Sequence, residues 1–203
     1  MMVDLVASTA QCVTCNVLMD AKQFYFNVVY GFNEGASRKS LWRHLDSLHG
    51  SLCQFPWMLA RDFNIIAHPN ESSNFDGTQG LRSYIKDFQE SIQNITLFDH
   101  AYTGPTFTWS NHQKSGFLAR KLDRVMINDK WLLSFNHSTI EFLTLGDSDH
   151  CLALVRLEQL TDSRPKPFKF FNFWTKHLKF LNTVSKSWKE PLMGSPMVNC
   201  RRK

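Results

Sequence analysis

A mixed α/β (α+β) domain, with helices covering sheets, is the fold class this sequence predicts. Three observations carry it. Two runs of β-branched and aromatic residues open the chain as a hairpin, two amphipathic helical segments follow, and several short strand-like runs fill the stretch from 102 to 157. The chain has 203 residues, 43% of them apolar and 20% charged, which suffices for one ordinary domain or a smaller one with an appendage.

Taken in order, Gln11 to Met19 and Gln23 to Tyr30 are separated by Asp20-Ala-Lys22 and read as paired strands. Gly31 to Gly35 is a polar turn. Ser37 then opens a helix on which Leu41, Leu45, Leu48 and Leu52 recur at helical spacing, and Phe55-Pro56 stops it, because proline has no backbone donor to continue the ladder. Trp57-Met-Leu-Ala60 is a short apolar strand leading to Arg61-Asp62-Phe63-Asn64 and a loop rich in Pro, Asn and Gly from His68 to Gly80. A second helix is expected from about Leu81 to Gln93, with Tyr84, Ile85, Phe88 and Ile92 on one face. Residues 102–111 form a turn and strand, Arg120 to Ile127 another strand, and a short helix surrounds Trp131. Ser138 to Leu145 and Cys151 to Leu157 are two further strands, joined by Gly146-Asp147-Ser148-Asp149-His150.

The composition changes after Leu160. Pro165 and Pro167 mark a break, followed by Phe168-Lys-Phe-Phe-Asn-Phe-Trp174 and a Lys-rich helical segment to about Glu190. The organisation expected is therefore a domain over 1–160 and a basic, aromatic-rich, helical tail over 161–203. Charge follows the same division. The tail has ten Lys/Arg against two Asp/Glu, net +8, whereas 1–160 has thirteen against sixteen, net −3, within an overall +5. In the tail Lys166, Lys169, Lys176 and Lys179 interleave with aromatic residues, a mixture that can join phosphate contacts to base stacking. The blander reading has those aromatics packing a connecting helix.

No apolar run approaches the length of a membrane span, and the N-terminus lacks the basic and apolar regions of a secretory signal. The expectation is a soluble intracellular protein, nuclear or cytoplasmic, with no membrane partner. Five scattered cysteines fit a reducing compartment. Cys12-Val-Thr-Cys15 has half the spacing of a zinc site, but no second pair follows at ligand spacing, so a strand carrying two thiols is the better reading.

Polar residues collect where the expected strands end: Tyr30 and Asn33, Asp62 and Asn64, Asp123, then Asp149 and His150. Rigid strands hold such side chains in place while the adjoining loops leave them accessible. Carboxylates suit a hard cation such as Mg²⁺, and histidine serves as acid, base or phosphate ligand. Singly, each residue is more often a cap or a satisfied structural group; taken together and in order they favour a functional site.

The wording of these segments resembles the endonuclease/exonuclease/phosphatase superfamily, whose members include exonuclease III and DNase I. Arg61-Asp62-Phe63-Asn64 is similar to its GDFN strand end, Thr106-Phe-Thr-Trp-Ser-Asn111 to the FTW element, Lys121-Leu-Asp-Arg-Val-Met-Ile127 to the LDRV strand, Ser148-Asp-His-Cys151 to the terminal SDHxP signature, and Tyr30-Gly-Phe-Asn33 to Tyr-x-x-Asn. Five motifs in order over 23–157, with the segment at 164–188, look most like the endonuclease region of a plant-type LINE (non-LTR) retrotransposon polyprotein. The resemblance implies a partial DNase I-like four-layered α/β/β/α sandwich followed by a helical tail. It also implies phosphodiester hydrolysis assisted by Mg²⁺ or Mn²⁺, with DNA as substrate and a reverse transcriptase domain as partner in the same polyprotein.

Residue by residue, the resemblance makes Asp62 the group that orients or deprotonates the attacking water, with Asn64 fixing that carboxylate and contacting phosphate. Asp149 lies in the metal shell. His150, held by Asp123, meets a phosphate oxygen, and Tyr30 and Asn33 bind or position the phosphate. Trp109 packs beneath the site. Two departures stand out: Arg61 replaces the glycine before Asp62, and Leu152 replaces the proline after Ser-Asp-His-Cys. The family's metal-binding Glu comes well before Tyr-x-x-Asn, and no Glu precedes Glu34 here. The expectation is thus the distal part of a nuclease domain, with its metal weakly held and its catalysis impaired. A non-catalytic nucleic-acid-binding module and a phosphatase of the same superfamily are the alternatives.

Overall fold

The computed structural model describes residues 1–144, 146, 148–157 and 172–189. The first half contains β1 (Met2–Ser8), β2 (Cys12–Met19), β3 (Lys22–Tyr30), α1 (Gly35–Leu52), β4 (Trp57–Asp62) and α2 (Gln79–Asn94). Short strands follow: β5 (Phe98–Asp99), β6 (Tyr102–Thr103), β7 (Trp109–Ser110), β8 (Ala119–Arg120) and β9 (Asp123–Ile127). Then come α3 (Asp129–Ser134), β10 (Thr139–Phe142), β11 (Ala153–Arg156) and α4 (Phe180–Lys189). The class is mixed α+β, as the alternation of periods predicts. The chain divides into two compact units, Met1–Pro165 and Lys166–Lys203. No helix among the described residues is long and apolar enough to cross a membrane.

The larger unit is organised on a six-stranded sheet ordered β1-β2-β3-β4-β9-β5. Its β2–β3 hairpin turns at Asp20 and Ala21, both at positive φ, the twist that a tight two-residue connection requires. Pairing of β3 with β4 is parallel, and β4 with β9 antiparallel. One face packs against α1 and α2: Leu41, Trp42 and Leu45 meet Ile85, Phe88 and Ile92 over Val29, Trp57, Leu59 and Phe63. On the opposite face Phe24, Met58, Val125 and Ile127 bury against Trp131, Phe135, Ile140 and Phe142, which brings in α3 and the three-stranded sheet β11-β10-β6. Two cores sharing one sheet explain why β4 and β9 read as continuous apolar runs rather than alternating ones.

Two features depart from the sequence reading. Met2–Ser8 is a strand, paired with β2 at the sheet edge, although nothing in its pattern signals one. Its Met2, Val3, Leu5 and Val6 remain exposed, Leu5 by 68%, so burial leaves no alternation to read. The expected strand at Arg120 to Ile127 is split, because Lys121 and Leu122 leave the ladder between β8 and β9. Cys12 and Cys15 are free thiols on β2, Cys12 in the helix-side core and Cys15 packed against the other.

A buried charge network locks the loop after β4 to the sheet. Glu71, in the 3-10 turn Pro69–Glu71, accepts from Arg124, which also donates to Asp99 at 2.7 Å. Lys121 reaches the same Asp99 oxygen at 2.7 Å. Glu71 accepts as well from the backbone of Ala67 at 2.7 Å and His68 at 3.2 Å, and its carbonyl receives the Lys121 N–H at 2.9 Å.

Candidate active site

Register places three of the expected site residues side by side. Tyr30 ends β3 opposite Asp62 at the end of β4, and Asp62 faces Asp123 at the start of β9. Side chains of residues paired this way emerge on the same face of a sheet. Gly31 joins the two strand ends more tightly: its N–H donates to the Asp62 carbonyl at 2.8 Å, and a Cβ there would stand 2.6 Å from the Phe63 carbonyl oxygen. Only glycine permits that approach.

Asp62 is buried, and its carboxylate is held by one neighbour through two bonds. The Asn64 backbone N–H donates to Oδ1 at 2.8 Å and the Asn64 side-chain amide to Oδ2 at 2.9 Å; the same amide reaches the Gly31 carbonyl at 2.7 Å. Burial pushes the Asp62 carboxyl above its ordinary value. The Asn64 bond opposes that push, the negative Asp123 adds to it, and His150 and Arg61 draw it back.

His150 completes the cluster. Its Nδ1 donates to Asp123 Oδ2 at 2.8 Å, which directs Nε2 toward Asp62, 3.9 Å from Oδ2. Asp62, Asp123 and His150 each offer a ligand atom within 4.8 Å of the others, an oxygen-rich set suited to a hard divalent cation. Asp149 stands outside that trio. Its Oδ2 accepts from the Trp109 indole N–H at 3.1 Å, a tie between residues 40 apart that sequence reading did not show; there Trp109 is only a packing residue. Tyr30 is 62% exposed, at the rim. Asn33 lines the same cavity as Asn64.

Thr108, to which sequence reading gives no role, braces the site. Its hydroxyl accepts from the N–H groups of Leu122 at 3.0 Å and Asp123 at 2.8 Å, and its carbonyl receives the Cys151 N–H at 2.7 Å. One buried threonine thus fixes the segment carrying Asp123 and the segment carrying His150. Lys166 and Lys169 lie outside the described residues. Lys176 and Lys179 are exposed in the second unit.

Arg61 occupies a backbone conformation that glycine favours, φ +103°, immediately before Asp62. Holding a side chain there costs about 1–3 kcal/mol. Arg61→Gly is therefore expected to raise stability by about 1 kcal/mol, after allowing for the greater unfolded-state freedom of glycine. Loss of the Arg61 charge also removes one of the influences lowering the Asp62 pKa, so any activity needing ionised Asp62 would fail at a higher pH in the variant. Urea melts and pH–rate profiles of the two proteins check both expectations; a less stable variant would show that φ +103° carries no strain.

No protein-family model matches the sequence, nor does any curated protein. Solved structures do. The endonuclease domain of TRAS1, a telomere-specific non-LTR retrotransposon, is similar with a TM-score of 0.55 and 13% identity, over 79% of this chain and 70% of that one. Beta toxin from Staphylococcus aureus has a TM-score of 0.50 and 13% identity, over 73% of this chain. An endonuclease/exonuclease/phosphatase family protein from Leptotrichia buccalis gives 0.48 and 14%, over 73% of this chain and 54% of that one. The chain spans 57% of the length of the beta toxin it matches. At such identities the first two likenesses define the fold, which is DNase I-like.

Proposed function

We propose that this chain carries a divalent-metal-dependent phosphodiesterase site of the retrotransposon-endonuclease kind, with DNA as its substrate. The observation that supports this best is the convergence of Asp62, Asn64, Asp123 and His150 at adjoining strand ends, with the Asp123–His150 bond already formed. Asp149, after it leaves Trp109, would hold the cation beside this cluster; bound there, the ion would supply charge neutralisation at the phosphate. Asp62, whose burial makes it a stronger base than an exposed carboxylate, accepts the proton of the attacking water. Asp123 fixes the His150 tautomer with the proton on Nδ1, leaving Nε2 to exchange a proton with a phosphate oxygen. Asn64 restrains Asp62 and, with Asn33 and Tyr30, positions the phosphate.

Slow turnover belongs to the same proposal. Among the described residues Asp149 is the site carboxylate left for the cation, because Asp123 is committed to His150 and Asp62 would take the proton of the water. A site with so few free oxygens holds Mg²⁺ or Mn²⁺ weakly. Lys176 and Lys179 of the second unit would add sequence-independent attraction to DNA, and a reverse transcriptase domain is the partner this class of endonuclease would have.

Substrate class is tested by offering supercoiled plasmid DNA and a panel of phosphomonoesters in parallel with Mg²⁺. Nicking of the plasmid without release of phosphate from the panel is expected. The reverse pattern would overturn the assignment in favour of a phosphatase.

A further inference from the structure

Next to the Asp62–His150 cluster lies a cavity of about 350 Å³. Asn64, whose amide donates to Asp62, lines it together with Asn33. Its charged lining residues are Arg38 and Arg120, and none of the described residues lining it is a carboxylate. Thr78, Gly80 and Leu81 of the first turn of α2 form another part of the wall. The sixteen-residue α2 directs its positive end there, with Thr78 Oγ1 accepting the Leu81 N–H.

The two arginines differ in how they are held. Arg38 is buried and fixed, its Nη1 donating to the carbonyls of Phe32 at 2.7 Å and Asn33 at 2.8 Å; among the described residues it forms no ion pair, and Asp62 acts on it only at longer range. Arg120 forms no ion pair among the described residues, and its buried Nε has no acceptor. A buried donor without a partner is destabilising, and an uncompensated guanidinium in an acid-free cavity attracts an anion. The rest of the unit is acidic on balance, so this concentration of positive charge beside the cluster is local.

We infer that this cavity is a second phosphate subsite, in which Arg120 binds the backbone phosphate flanking the one at Asp62 and His150. The subsite rests on the reading of the main site as a phosphodiesterase, and it adds a fixed cationic hold on the strand that is independent of the metal. Guanidinium nitrogens match phosphate oxygens in pairs, so Arg120 would fix the register of the strand as well as its affinity. Arg38 positions Asn33 and adds charge from behind it.

The experiment is equilibrium binding of a fluorescein-labelled DNA duplex to the full chain, followed by anisotropy across a salt series with Ca²⁺ in place of Mg²⁺. Wild type is compared with Arg120→Gln, Arg120→Lys and, as a control distant from the cavity, Arg43→Gln. Arg120→Gln is expected to weaken binding roughly tenfold and to reduce the slope of log K against log salt by about 0.9, the loss of one phosphate contact. Arg120→Lys should restore the slope, since a point charge suffices for counterion release, and Arg43→Gln should leave it alone. Thermal melts identify any variant that fails to fold, and Arg120→Met, which keeps the aliphatic stem but loses the charge and is expected to behave as Arg120→Gln, carries the test in that case. An unchanged affinity and slope in Arg120→Gln would overturn the subsite. So would an effect confined to competition by inorganic phosphate, which would make the cavity a site for the free anion. Duplex binding needs no cleavage, so the two readings fail separately. A normal Arg120 effect without nicking would refute the phosphodiesterase, whereas His150-dependent nicking with a salt slope indifferent to Arg120 would refute the subsite.

Discussion

Replacing His150 by alanine is expected to reduce metal-dependent DNA nicking by about a hundredfold to ten-thousandfold, the range associated with a positioned proton-transfer group. Geometry makes the effect specific. Nδ1 is committed to Asp123 at 2.8 Å, so Nε2 is the ring nitrogen available to the substrate, and it already faces Asp62. Alanine also leaves the buried Asp123 without its donor, a loss of about 1–3 kcal/mol. Instability and lost chemistry therefore need separating. His150→Gln retains an amide that can donate to Asp123 but cannot take up or release a proton, so it should recover most of the stability and little of the rate. Nicking that survives both substitutions would remove His150 from the chemistry.

The largest expected loss of stability comes from Glu71→Gln. Glu71 and Asp99 balance Arg124 and Lys121 in a cluster where Arg124 is fully buried between Phe88 and the sheet. Removing one charge from such a cluster leaves a buried cation undercompensated, and about 3–5 kcal/mol is the usual consequence. Folded domains have roughly 5–15 kcal/mol in all, so the variant would be close to unfolding. Burial pushes the Glu71 carboxyl up, but the charge and hydrogen bond of Arg124, with Lys121 and the Ala67 N–H, together hold it below the ordinary carboxylate value. A depressed pKa gives stability that is present above the unfolded-state value and lost as pH falls through the folded one. The gap between wild type and Glu71→Gln in urea melts should therefore be widest at neutral pH and narrow in acid. A gap that ignores pH would mean the substitution acts through packing instead of charge.

Much of this molecule is legible in its sequence, for identifiable reasons. The β2–β3 hairpin and both long helices announce themselves because each buries one face and exposes the other. Helix α2, expected from about Leu81 to Gln93, forms over Gln79–Asn94, its cap at Thr78 extending it by two residues. Strand β1 is silent because both its faces stay in contact with solvent. The two-residue strands β5 to β8 are too short for any periodicity to register.

The site divides the same way. Asp62, Asn64, Asp123 and His150 are signalled by local wording, and the structure brings them together because each wording fixes a strand end. Contacts between distant segments carry no such signal: Glu71 with Arg124, 53 residues apart, or Trp109 with Asp149. Arg61 is an instructive mixture. Its identity marks an oddity in the sequence, but the reason a small residue belongs there, a positive φ, belongs to the backbone.

On the proposed reading, Asp62, Asn64, Asp123 and His150, with Asp149, form a phosphodiesterase site that holds its metal weakly. Titration of Mg²⁺ or Mn²⁺ against plasmid nicking by the wild-type chain, with excess chelator and with His150→Ala alongside, tests it most directly. Slow nicking that appears only with added metal, continues to rise into the millimolar range, and vanishes both with chelator and in the variant is the predicted result. Nicking indifferent to chelator and to His150, or no nicking at any metal concentration, would contradict it.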